Sequence, residues 1–207
     1  DDKTTYSQGL AEGVNKNCGK MGIEVLGHDH VNQGDKDFSA ILTMAKSKNA
    51  DLFYMCLQNH ATGSLMAIQA KRMGLKATIV SQDAMYHPNF ITVAKAAAEG
   101  IYVTYGYTDK STEAYKSYEK RFTAKYGQIG AYGTYAYDAA TALLMAIKNA
   151  GSVDPKKVKA ELMKLDFQGA SKHIKFKPNG DSGSAYIAYK IENGDYHPYW
   201  APDKGFW

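Results

Sequence analysis

Apolar positions recur along this chain at two spacings, and the pattern changes character about halfway. From Ser7 to about Lys20 apolar side chains return at helical intervals and the run stops at Gly22, a residue that ends helices by turning left-handed. Ile23-Glu24-Val25-Leu26-Gly27 is then expected as a strand. Asp35 or Asp37 caps a helix that places Phe38, Ile41, Leu42 and Ala45 on one face. The unbroken apolar run Leu52-Phe53-Tyr54-Met55-Cys56-Leu57 predicts a strand buried on both faces. A helix from about Ala61 to Met73 stops at Gly74, and Thr78-Ile79-Val80 is a third strand. A short helix near Asn89 to Ala97 leads to a fourth, Ile101-Tyr102-Val103-Thr104-Tyr105. Strands and helices alternating through short connections predict a parallel sheet.

Beyond that point residues 111–165 are almost entirely helical in pattern: Thr112 to Tyr126, Ala131 to Ala150, and Pro155 to Leu165. Pro155 behind Asp154 is a first-turn proline following a cap. The last stretch is β, with Lys172 to Lys177, a turn at Pro178-Asn179-Gly180-Asp181, Ala185 to Ile191, and a turn at Glu192-Asn193-Gly194-Asp195. Asn-Gly in such turns is a strong hairpin signal.

Composition narrows the class. A chain of 207 residues can bury a sizeable core, as one large domain or two small lobes. Its longest apolar runs fall well short of the roughly 20 residues that span a bilayer. The net charge of +4 does not mark a nucleic-acid binder: lysines such as Lys110, Lys116, Lys120 and Lys125 are scattered beside acids, and no compact basic stripe forms. Cys18, near a helix end, and Cys56, at a strand end, lack metal or redox spacing and are expected as free thiols. The opening residues Asp1 to Leu10 read as a turn entering a helix, with the strand that should feed the turn absent. That reading leads us to expect part of the protein upstream of residue 1.

Several short segments, taken in order, carry a family likeness. They are Asp2-Lys3-Thr4-Thr5-Tyr6-Ser7-Gln8-Gly9-Leu10, Gly34-Asp35-Lys36-Asp37-Phe38-Ser39-Ala40 and Gln69-Ala70-Lys71-Arg72-Met73-Gly74-Leu75. Ala98-Glu99-Gly100, Gly130-Ala131-Tyr132 and Phe176-Lys177-Pro178-Asn179-Gly180-Asp181 follow. Each is weak alone, but together they span the chain. The sequence resembles roughly the C-terminal three-fifths of the branched-chain amino-acid (leucine/isoleucine/valine) binding proteins of ABC transporters, the type I periplasmic binding fold.

The resemblance implies an α/β protein of two Rossmann-like lobes, here without the leading half of the first. Residues 1–105 would form most of the second lobe, 106–175 the helical remainder of the first, and 176–207 the strands returning to the second. It implies an extracytoplasmic protein, periplasmic or extracellular (lipid-anchored if from a Gram-positive source), that captures a small ligand between lobes and delivers it to an ABC permease. The portion missing upstream would include the loop that holds the ligand's carboxylate. No cofactor is implied.

The same resemblance supplies the candidate contacts. Tyr6 stands where the family has an aromatic residue over the ligand, and a phenol suits a small amphipathic molecule. Asp83, in Ser81-Gln82-Asp83-Ala84, replaces a family glutamate that pairs with the ligand's amino group; the alternative for it is helix capping. Gln58 and Asn59 stand where the family commonly has aromatics, which admits an amide or small aromatic acid beside an amino acid as ligand. Tyr132 falls where the first lobe supplies an aromatic wall, with Tyr135 its helical neighbour, though aromatics at helical spacing often belong to a core.

Residues outside the resemblance add little. His28 and His30 share a strand face and His60 and His87 lie further on, yet spacing offers no convincing third ligand, so the sequence assigns no metal. No glycine-rich phosphate loop, nucleophile elbow or catalytic carboxylate pair is visible, and nothing points to an enzyme. A ligand-sensing receptor or regulator of the same fold is the alternative function, with an α/β enzyme behind it.

Overall fold

The computed structural model describes residues 1–183, 185–201 and 205–206. In chain order its elements are α1 (Thr5–Lys20), α2 (Ser39–Ser47), β1 (Leu52–Met55), α3 (His60–Arg72), β2 (Thr78–Ser81), α4 (Pro88–Ala94) and β3 (Tyr102–Gly106). Then come α5 (Glu113–Tyr126), α6 (Gly133–Ala150), α7 (Pro155–Leu162), β4 (Asp166–Gln168), β5 (His173–Lys175), β6 (Tyr186–Glu192), β7 (Asp195–Ala201) and β8 (Gly205–Phe206). The chain divides into two compact units, Asp1–Tyr105 with Tyr186–Trp207, and Gly106–Ala185.

The first unit is built on a six-stranded sheet in the order β1-β2-β3-β6-β7-β8. Strands β1, β2 and β3 run parallel, with Leu52 opposite Thr78 and Val80 opposite Tyr102. Each is reached through a helix, as the alternating pattern requires. The β6–β7 hairpin turns at Asn193 and Gly194, both at positive φ (52° and 74°), the geometry that gives Asn-Gly its hairpin preference. Phe38, Leu42, Met55, Leu57, Met85 and Phe90 form the centre of the core, all essentially inaccessible. Gly63 on α3 is needed at that position, because a Cβ there would collide with the sulfur of Met85.

Local signals account for the helix ends. Thr4 caps α1, its Oγ1 accepting from the Ser7 amide at 3.1 Å. Asp37 holds the start of α2 through the Ser39 amide at 3.0 Å, and Gly74 closes α3 at φ 67°.

One expected strand is absent. Residues 23–28 carry no regular secondary structure, and Ile23, Val25 and Leu26 are exposed. A strand exists only through a ladder partner, and among the described residues none pairs with this segment. A cavity of about 610 Å³ is lined both by this segment and by β1. Leu52, at the start of β1, is accordingly 53 % exposed, so the strand is not covered on all sides as its apolar run suggested. Pairing begins only beyond residue 28, where the nitrogen of Asp1 donates to the Asp29 carbonyl at 2.9 Å and Val31 N–H donates back to the Asp1 carbonyl at 2.9 Å.

The second unit packs α6 against α7 through Ala142, Ala146 and Val158, with Leu165, just beyond α7, in the same cluster. The expected strand at 172–177 is shorter, as β5, and pairs antiparallel with β4, which the sequence reading did not anticipate. Asp138 of α6 is buried and accepts from the Ala170 and Ser171 amides, both at 2.7 Å, and from the Ser171 hydroxyl at 2.5 Å. A carboxylate out of water needs such donors. Leu143 and Leu144 on the same helix are 48 % and 66 % exposed.

Candidate ligand site

Ligands of open α/β sheets bind outside the carboxyl ends of the parallel strands. In the first unit those ends carry two short loops: residues 56–59 after β1 and residues 82–87 after β2. Residues 1–4 join them by entering α1 alongside.

Asp2 fixes that third loop. It is 3 % exposed, and its Oδ1 accepts from the hydroxyls of Ser7 at 2.5 Å and Thr4 at 2.8 Å. Its Oδ2 accepts from the Gln58 amide N–H at 2.8 Å. Burial acts to raise the Asp2 pKa, but the bonds from Ser7, Gln58 and Thr4 outweigh it and hold the carboxyl below its ordinary range. The sequence reading missed Asp2, because its decisive partner lies 56 residues away.

Tyr6, in the first turn of α1, is half-buried and its phenol donates to Oδ1 of Asp83. Asp83 opens a single 3₁₀ turn, Asp83–Met85, which Met85 anchors in the core at zero exposure. Tyr196 of β7 clamps the same loop, its phenol donating to the Met85 carbonyl and accepting from the His87 amide at 3.2 Å. Two sequence-predicted residues, Tyr6 and Asp83, are thereby brought into direct contact.

The other candidates divide. Gln58 is exposed beside Asp2's amide bond, its side chain at the strand end. Asn59 is the N-cap of α3, its Oδ1 accepting from the Ala61 amide at 2.8 Å, so part of its polarity serves the helix. Tyr132 belongs to the second unit, immediately before α6, and is 52 % exposed. His60 and His87, which begin α3 and cap α4, stack with ring centroids 4.0 Å apart and planes 7° apart. Burial first, and His87 second, push the His60 pKa down. The flat pair thus links the β1 and β2 loops. Cys18 and Cys56 are both free, and burial drives the Cys56 thiol up to about 11.

Comparison with known proteins agrees with this architecture. A family model described as periplasmic binding protein matches residues 1–195, and the chain belongs to that family. It is 32 % identical over 195 residues to Leu/Ile/Val-binding protein homolog 1 of Brucella abortus, covering 93 % of this chain and 52 % of that protein. It is 27 % identical over 200 residues to an amino acid binding protein of Pseudomonas aeruginosa. Among solved structures, a leucine binding protein from Thermotoga maritima superimposes with a TM-score of 0.89 at 30 % identity, covering 97 % of this chain and 59 % of that one. The fold is that of type I periplasmic binding proteins. The chain spans about half the length of the curated relatives it matches. These relatives are solute-binding proteins, and among the described residues no helix is long and apolar enough to cross a membrane.

Proposed function

We propose that this chain is the larger part of an extracytoplasmic solute-binding protein that captures an amino acid and hands it to an ABC permease. The observation that carries the reading is the Tyr6–Asp83 contact at the carboxyl end of the parallel sheet. Asp83 provides the anion for an ammonium group, and Tyr6 provides a ring against which the ligand's apolar part packs. Gln58 lends an amide to the ligand's polar atoms, and Asn59 contributes through the amide hydrogens its capping role does not use. Tyr132 is a further contact within this reading. The printed names of the relatives, Leu/Ile/Val-binding and amino acid binding, point to the same ligand class. Binding is completed by the rest of the protein of which this sequence is part, including the group that holds the ligand's carboxylate.

The test is a melting screen of the intact protein against leucine, isoleucine, valine, asparagine, glutamine and small aromatic acids. A ligand that binds only the native state raises the melting temperature in proportion to the logarithm of its concentration. The reading expects at least one amino acid to do so, and Asp83→Asn to remove most of the shift. Turnover of any of these compounds, abolished by Asp83→Ala, would instead favour an enzyme.

A further inference from the structure

We propose that Asp1, His28 and His30 form a binding site for one divalent late-transition-metal ion of the zinc type. The three residues come from two segments that the fold brings together. Nε2 of His28 lies 2.7 Å and Nδ1 of His30 lies 2.8 Å from the same oxygen, Oδ2 of Asp1, across 27 and 29 residues of sequence. All three ligand atoms lie within 4.8 Å of one another. Ligands about 2.0–2.2 Å from one tetrahedral ion stand roughly 3.3–3.6 Å apart, so small side-chain rotations that open the two hydrogen bonds would seat the ion among the three.

The donor set selects the ion. Two imidazoles and one carboxylate suit zinc and its neighbours, whereas calcium and magnesium require mostly oxygen. Three protein ligands leave a fourth position for water. His28 and His30, two residues apart, both reach the one Asp1 oxygen.

The surrounding bonds hold the ligands in place. Oδ1 of Asp1 accepts from the Lys3 amide at 2.9 Å, which fixes the carboxylate plane and leaves Oδ2 for the ion. The Asp1 backbone is bridged to residues 29 and 31 on either side of His30. The Asp1 carboxylate is fully covered while the two imidazoles are 29 % and 45 % accessible, so an ion has a route in from the histidine side. An imidazole that binds a metal through its near nitrogen carries its proton on the far one. Sequence spacing showed the two histidines but not Asp1, which only the fold supplies.

The test is a titration of the intact protein, stripped with a chelator, with Zn²⁺ alone and then with Co²⁺. We expect one equivalent of Zn²⁺ to bind and raise the melting temperature, and bound Co²⁺ to give visible absorption bands of a low-coordinate site. His28→Ala and His30→Ala should each weaken binding at least about tenfold. His173→Ala, at a histidine that pairs with Asp166 in the other unit, should leave binding unchanged. Absence of saturable binding overturns the proposal. So does Zn²⁺ binding that persists undiminished in the folded double variant of His28 and His30.

Discussion

The phenol of Tyr6 donates to the carboxylate of Asp83 across 77 residues of sequence, tying the first turn of α1 to the loop after β2. Both residues stand at the sheet edge where this fold receives ligands. The bond also orders the carboxylate before any ligand arrives. Removing it with Tyr6→Phe keeps the ring and deletes one donor to a charged acceptor, a loss of about 1.5–3 kcal/mol in the fold at most. We expect a lower melting temperature by a few degrees with helix content unchanged, measured by circular dichroism. An unaltered melting temperature would mean the contact contributes nothing to the native state.

Asp2 is the more demanding case, since its two oxygens gather Ser7, Thr4 and Gln58 around a buried charge. Asp2→Ala strands those donors and should destabilise the first unit by about 3 kcal/mol. The pH response has a definite sign. The folded carboxyl is lowered from 3.8, so its stabilisation is complete above that value and is lost as pH falls through the lower folded pKa. Wild-type denaturant midpoints should therefore fall below about pH 4, and the fall should be shallower in Asp2→Asn. Parallel acid slopes for the two proteins would remove Asp2 from the account.

The thiols should separate cleanly by reactivity. Cys56 is buried, donates to the Ser7 carbonyl at 3.2 Å, and has its pKa pushed up to about 11, whereas Cys18 is partly accessible. The thiolate is the reactive form. At pH 8 a disulfide reagent should modify one thiol per chain, mapping to Cys18 by peptide mass, with the second released only on unfolding. Rapid modification of Cys56 in the native protein would contradict its burial.

His60 carries a second pH signature, at a higher pH than Asp2. Its folded pKa is lowered from 6.5 by burial and by the stacked His87. Stability from the neutral ring is then complete above about pH 6.5 and is lost as pH falls toward the depressed value. Replacing His60 by Phe, which keeps a flat ring without a proton to gain, should flatten the melting temperature between pH 5 and about 6.5. A profile over that range identical to wild type would show that the stack does not resist protonation.

Much of this architecture was legible in sequence because its signals are local. Gly22 and Gly74 mark helix ends, Asp154-Pro155 marks a helix start, and Asn193-Gly194 marks the hairpin. The failures are equally physical. Ile23–Gly27 has a strand's composition but no ladder partner, and composition cannot report a neighbour. The three-residue strand β4 is too short to show a period and is defined by its pairing with β5. At the site, Tyr6 and Asp83 were found through a family likeness, whereas Asp2 was not. Nothing around an aspartate near a turn announces that it will bind an amide 56 residues away. Asp138, whose partners lie 32 and 33 residues downstream, was invisible for the same reason.

The central claim is that Asp83 receives the amino group of a captured amino acid. Calorimetric titration of the intact protein with L-leucine, L-isoleucine and L-valine, repeated with Asp83→Asn, tests it most directly. We predict saturable one-site binding of at least one of them, weakened at least about tenfold by the substitution, as loss of a charge-assisted bond requires. Binding of equal strength in wild type and Asp83→Asn would contradict the assignment, and no binding of any amino acid would contradict the function.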